Sequence, residues 1–358
     1  MASLFDPITL RGMTARNRVW LAPMCQYSVD AQDGVPAEWH LVHLGARAAG
    51  GFGVVLTEAT AVAPEGRISP QDTGIWNDEQ AESWSRITGF VRAAGAVPAI
   101  QLAHAGRKAS TAAPWRGRGV VAAADGGWVP VGPSPEPYRG LAAPDVLTVR
   151  EIDATVRAFA DAARRAVAAG FGAVEVHAAH GYLLHEFLSP LSNTRTDGYG
   201  GSFSNRARAL IEVVEAVRRV LPDSTPLLVR LSATDWVDGG WTLDETLELT
   251  ALLAARGVDL FDLSSGGNDH RQQIPAAPGY QVPFARDVRA KTGTATAAVG
   301  LITAPRQAQD ILDEGAADVV LLGRAALREP AWPLRAAHEL GVADAPYPVQ
   351  YRRGAYGS

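Results

Sequence analysis

Eight short runs rich in Val, Leu, Ile and Ala recur along the chain, and each is nearly continuous in apolar character. They occupy 18–24 ("RVWLAPM"), 52–59 ("FGVVLTEA"), 97–103 ("VPAIQLA"), 172–178 ("GAVEVHA"), 226–232 ("PLLVRLS"), 258–264 ("VDLFDLS"), 294–300 ("TATAAVG") and 317–323 ("ADVVLLG"). A strand that alternates polar and apolar residues can face water on one side. One that does not alternate must be covered on both faces, as parallel strands are. The intervening stretches have helical spacing. In "EIDATVRAFADAARRAVAAG" (151–170) residues Ile152, Val156, Phe159, Ala163, Ala166 and Val167 fall on one face, and Gly170 supplies a C-terminal stop. "TLDETLELTALLAARG" (242–257) repeats the pattern, with Thr242 as N-cap and Glu245 three residues later completing a capping box. Eight strand–helix alternations in 358 residues, above the roughly 250 of a typical barrel, predict an α/β fold of the (β/α)8 TIM-barrel class rather than an open doubly wound sheet. The whole chain, 1–358, is expected to form this one domain. The Gly-, Pro- and Trp-rich stretch 105–147 follows the third strand and is expected to be an inserted cap over the barrel mouth.

Composition narrows the chemistry. The net charge is −5 with both signs interspersed, so nucleic acid is not expected as a partner. One cysteine, Cys25, excludes internal disulfides, multi-cysteine zinc and cysteine-held iron–sulfur clusters. Lys108 and Lys291 are the only lysines, which confines lysine-based chemistry to two positions. No run of about 18 apolar residues and no apolar leader region occurs, so a cytoplasmic address and no membrane span are expected.

In a barrel of this class the site forms at the C-terminal ends of the strands. Reading those ends gives Pro23, Met24, Cys25 and Tyr27 after the first strand, Glu58 and Ala59 at the second, and Gln101 and His104 at the third. His177, His180 and Tyr182 follow at the fourth, Arg230 at the fifth, Ser264 to Gly267 at the sixth, Gly300 at the seventh, and Gly323 with Arg324 at the eighth. An arginine inside "PLLVRLS" is costly to bury unless an anion or a polar ring accepts its donors; the bland alternative is a pair with a barrel carboxylate such as Glu175. Gly300, Gly323 and Arg324 sit where barrels hold a phosphate on backbone N–H groups. No G-x-G-x-x-G follows a strand, so a Rossmann-bound dinucleotide is not supported.

His177 and His180 admit two readings. A zinc site would draw on His185, Glu175 or Glu186, but the pattern puts His185 and Glu186 at the start of a helix that points away. The preferred reading makes the histidines neutral donors converging on one oxygen, with Tyr182 as the acid that protonates a carbon made basic as that oxygen is polarised.

The segments "APMCQYS", "TEATAV", "IQLAHAGRKA", "VHAAHGYLLHEFLSPLSNTRTDGYGGSFSNRARALIEVV", "VRLS", "PGYQVPFA", "LLGRAALREP" and "PVQYRRG" resemble the Old Yellow Enzyme family of flavin-dependent ene-reductases, from Leu4 to Gly354. Cys25, the short length and the "QYRRG" ending resemble its shorter bacterial, thermophilic-like branch. The resemblance implies non-covalent FMN, NADPH or NADH as hydride donor, and α,β-unsaturated carbonyl compounds as substrates. It places Pro23, Met24 and Cys25 along the flavin, Ala59, Gln101 and Arg230 at its pyrimidine edge, and Gly300, Gly323 and Arg324 at its phosphate. His177 and His180 become the carbonyl-binding pair, Tyr182 the proton donor, Tyr27 and Lys108 further contacts near flavin and substrate. Arg353 matches an arginine that reaches into a neighbouring subunit's site, which implies a homo-oligomer, dimer or tetramer. Other classes remain open: a Schiff-base aldolase using Lys108, an FMN-dependent dehydrogenase or oxidase with a different acceptor, and a flavin-binding protein without catalysis.

Overall fold

The structure, a computed structural model, describes residues 2–356. All eight apolar runs form strands: Val19–Leu21, Val54–Ala61, Val97–Ala103, Ala173–Ala178, Leu227–Ser232, Leu260–Ser264, Ala295–Ala298 and Val319–Leu322. They pair in parallel in chain order, and the last closes on the first. The predicted closed barrel is therefore the observed one. The first run is shorter than its apolar character suggested because Pro23 has no N–H to give a ladder.

An element not anticipated is the antiparallel hairpin Ile8–Leu10/Met13–Ala15, whose turn puts Arg11 at φ +49°. Strands of three residues carry too little pattern to be read. The hairpin closes the N-terminal end of the barrel: Ile8, Leu10 and Met13 pack with Trp20, Leu56, Leu228, Leu260 and Leu321 in one apolar floor. A larger core lies between the barrel and its helices, built on outward-facing residues such as Val176, Val229, Phe261 and Leu263.

The helix expected over 151–170 runs from Val149 to Ala168. It starts earlier because Thr148 is the N-cap: its Oγ1 accepts the Glu151 N–H at 3.3 Å while Glu151 accepts the Thr148 N–H at 2.8 Å. The Thr242–Glu245 box opens Leu243–Ala254 as read from sequence. Among the described residues no helix is long and apolar enough to cross a membrane.

Two residues above the floor, the inward positions become polar. Gln101 pairs in register with Glu175, and Arg230 with Asp262. A bulge in the second strand, between Leu56 and Ala59, re-aims its upper half, so that Ala59 stands opposite Gln101. Stretch 105–147 carries little regular structure. Its strands Val131–Gly132 and Asp145–Val146 pair with each other, and Trp115 stands edge-on to Tyr27 at 5.8 Å.

The loop after Leu188 fastens this stretch down. Arg195 Nη1 donates to the Pro133 and Leu147 carbonyls at 3.1 and 2.6 Å, and Ser134 Oγ accepts the Thr194 N–H at 2.7 Å. Arg195→Ala is expected to speed proteolytic cleavage within 130–147 severalfold while leaving the thermal midpoint of the barrel nearly unchanged, as limited proteolysis beside a melting curve would record. Equal sensitivity to protease would mean the arginine is not the fastening.

Candidate active site

The barrel mouth is assembled from loops that follow the strands, and each is held by buried polar contacts. Pro23, Met24 and Cys25 leave the first strand without ladder bonds. Glu58 fixes the next residue: its Oε2 accepts the Gln26 N–H at 2.8 Å, while Oε1 lies 3.0 Å from His40 Nε2. Cys25, Tyr27, Tyr182 and Trp128 cluster over Ala59, Ile68, Ala103, Ala105 and Ala109. Burial pushes the Cys25 thiol well above its usual range, and Asp72 and Glu58 add to the effect. Cys25 is thus a neutral S–H beside the tyrosines.

Arg230 supplies a cation to the inward polar side chains of the belt. Its partner is Asp262, with Nε 2.9 Å from Oδ2, and not the Glu175 that the sequence suggested. Glu175 instead accepts Gln101 Nε2 at 2.7 Å, which leaves the Gln101 carbonyl oxygen unused by that bond. Among the described residues the two terminal guanidinium nitrogens of Arg230 have no protein hydrogen bond. Two carboxyls share one guanidinium, so they do not both ionise freely. Burial, reinforced by Asp262 and opposed by Arg230, lifts Glu175 to about 8; burial lifts Asp262 to about 6 against the pull of Arg230.

Above Arg230 stands His177, its neighbour across the fourth and fifth strands. The His177 and His180 rings lie 5.2 Å apart, and the Tyr182 ring 5.2 Å from His177. His180 has φ +60° and is held by its N–H on Ser232 Oγ at 2.9 Å and by its Nε2 at 2.6 Å from Ser264 Oγ. Burial, then Arg230, drives both histidines well below their usual pKa, so each is a neutral imidazole at pH 7. His177 Nδ1 is buried with no protein partner. Burial holds the Tyr182 phenol well above its usual pKa and does the same to Tyr27, so both keep their protons.

Gly300, Gly323 and Arg324 come together around one cavity of about 170 Å³, which Leu301, Thr303 and Arg328 also line. Gly300 has φ +119°, and a Cβ there would stand 2.8 Å from Gln281 Nε2. Lys108 does not point to open space. Its Nζ donates to the carbonyls of His180, at 2.8 Å, and Gly267. Burial, then Arg107, brings it down to about 7. Arg353 lies in the 3-10 turn Val349–Gly354, and the tail before it lines a groove with Arg16, Ala49 and Phe90. His104 accepts the Gly106 N–H on Nδ1 at 3.1 Å, a turn-forming role.

Sequence reasoning passed over Asp262, Ser232 and Asp72. Asp262 and Ser232 lie inside apolar runs without a motif of their own. Their one signal is the inward phase they share with Arg230, visible only once the strand faces are assigned. Asp72 sits in a loop and is recognisable only by its bonds to the Ile68 and Ser69 N–H groups, at 2.7 and 3.1 Å.

Glu175 generates a pH signature. Its pKa is raised from 4.5 to about 8, so the native state binds more protons than the unfolded chain across that window, and its contribution to stability falls as pH rises through about 8. Glu175→Gln carries no charge to bury. The variant should melt close to the parent at pH 5 and progressively above it towards pH 8; a difference independent of pH would remove Glu175 as the cause.

Residues 3–342 match the NADH:flavin oxidoreductase / NADH oxidase family. The chain is 47% identical over 352 residues to an NADPH dehydrogenase of Geobacillus thermodenitrificans, covering 98% of each. It is 43% identical over 351 residues to an NADPH dehydrogenase of Bacillus subtilis, again covering 98% of each. Among solved structures it superposes on morphinone reductase in complex with tetrahydroNAD with a TM-score of 0.79 at 30% identity, over 96% of this chain and 92% of that one. It superposes on an old yellow enzyme homologue from Zymomonas mobilis with a TM-score of 0.78 at 28% identity, over 99% and 98%.

Proposed function

The chain belongs to the NADH:flavin oxidoreductase / NADH oxidase family and is an FMN-dependent NAD(P)H oxidoreductase, and from that premise we propose that it reduces the C=C bond of α,β-unsaturated carbonyl compounds. The observation that carries this reading is the grouping of two neutral histidines, with rings 5.2 Å apart, and a protonated tyrosine whose ring stands 5.2 Å from His177.

The residues present fit FMN. Arg230, with its free terminal nitrogens, and the Gln101 carbonyl oxygen offer the mixed donors and acceptor that a pyrimidine edge needs, with Ala59 beside them. Gly300, Gly323 and Arg324 would hold the phosphate, and Pro23, Met24 and Cys25 would line the ring. FMN held by these residues would supply the hydride chemistry that links NAD(P)H oxidation to reduction of the alkene.

The protein's share is binding, polarisation and proton delivery. His177 and His180 donate to the substrate carbonyl oxygen, and since both are neutral they stabilise the charge that develops on it without transferring a proton to it. His180 does this from Nδ1 in the tautomer in which the Ser264 hydroxyl, 2.6 Å away, donates to Nε2. Tyr182 delivers its proton to the α-carbon. Tyr27 borders the same cluster and contacts the substrate. Arg353 completes the site of a neighbouring copy in a dimer or tetramer.

The test is an anaerobic visible spectrum: flavin bands bleached by NADPH should return on adding 2-cyclohexenone. Bands that bleach but stay bleached would leave a flavoprotein with another acceptor. Tyr182→Phe should slow that return by about 10²-fold or more, the usual worth of a general acid, and leave bleaching by NADPH within about twofold. Equal losses in both steps would remove Tyr182 as the proton donor.

A further inference from the structure

The turn that joins the histidine pair to Tyr182 is gripped at both ends of a single peptide unit. His180 and Gly181 both have positive φ, +60° and +70°. The left-handed region is unfavourable for histidine, so surrounding contacts must hold it there. At one end of the peptide the His180 carbonyl accepts from Lys108 Nζ at 2.8 Å; at the other the Gly181 N–H donates to His185 Nδ1 at 2.9 Å. Gly181 has no room for a side chain, since a Cβ there would stand 2.4 Å from the Gly267 carbonyl oxygen.

The grip by His185 depends on its tautomer. A ring nitrogen that accepts carries no proton, so the His185 proton sits on Nε2. That nitrogen lies 3.0 Å from Asp235 Oδ1, and both side chains are fully buried. The other carboxylate oxygen, Oδ2, accepts the Trp241 N–H at 2.9 Å and the Ser189 hydroxyl. Against the cost of burial, His185 and Ser189 hold the Asp235 carboxyl down at about 2, so it is ionised. An apolar side chain at 185 could fill the space but could not accept the Gly181 N–H.

We propose that His185 and Asp235 are positioning residues for alkene reduction: they fix the His180–Gly181 peptide, and with it the register between the carbonyl-binding histidines and the Tyr182 hydroxyl. The inference rests on the assignment of Tyr182 as proton donor. A change in ψ at His180 or φ at Gly181 displaces Tyr182, and a displacement of about 1 Å at a reacting group costs on the order of 10²-fold in rate.

Asp235→Asn is the sharpest perturbation because it keeps the shape and reverses one hydrogen bond. The Trp241 N–H and the Ser189 hydroxyl require an oxygen at Oδ2, which turns the new amide NH2 towards His185 Nε2. The ring must then carry its proton on Nδ1, where it opposes the Gly181 N–H. The rates to measure are flavin reduction by NADPH and reoxidation by 2-cyclohexenone, separately and anaerobically, in Asp235→Asn, Tyr182→Phe and the double variant. Reoxidation in Asp235→Asn should fall about 10- to 100-fold with reduction nearly unchanged, and adding it to Tyr182→Phe should cost little more, because residues acting as a unit are not additive. The same loss in both half-reactions, or the full loss repeated in the Tyr182→Phe background, would overturn the proposal. Folding is controlled by a second pair. His185→Asn keeps an acceptor at the Nδ1 position and should retain more reoxidation rate than His185→Leu; equal rates in that pair would also overturn it. The proton-donor reading is tested separately, by Tyr182→Phe alone.

Discussion

A guanidinium buried inside a parallel barrel has to be answered, and much of what lies above the apolar floor follows from how Arg230 is answered. Its positive charge is met by Asp262 at 2.9 Å on the adjoining strand, and by Glu175, which it influences without an ion pair between them. Two carboxyls against one cation leave a proton to be held, and burial raises both acids. Towards the mouth the same cation helps to keep His177 and His180 neutral. Burial sets the protonation of these groups, and this one charge acts on those below it and those above it alike.

The mouth is rigid by the same economy of buried polar contacts. Glu58 ties His40 to the Gln26 amide, Ser232 and Ser264 bind both ends of His180, and Lys108 joins the His180 and Gly267 carbonyls. Each bond joins loops from different strands, so the loops are held against one another as well as against the barrel. That arrangement suits neutral donors, whose effect depends on direction more than on charge.

The apolar runs were legible because a strand buried on both faces needs unbroken apolar character, and this chain repeats it eight times. Most mouth residues were legible too, since strand order alone says where each strand ends. What could not be read was how these residues pair. Arg230 with Asp262 rather than Glu175 depends on the stagger between strands, which is a property of the closed sheet. The bulge that sets Ala59 opposite Gln101 is likewise invisible in "VVLTEATA".

The sequence by itself determined the strand and helix count, the caps at Thr242 and Glu245, and the residue types gathered at the mouth. These follow from local rules, period and capping chemistry, which act over a few residues. Only the tertiary structure decided which atoms are left without partners, which histidine tautomer a turn demands, and how far each acid is shifted. Those depend on burial and on groups far apart in the chain: His185 and Asp235, or Lys108 and Gly267, meet because a barrel closes and brings its loops to one end.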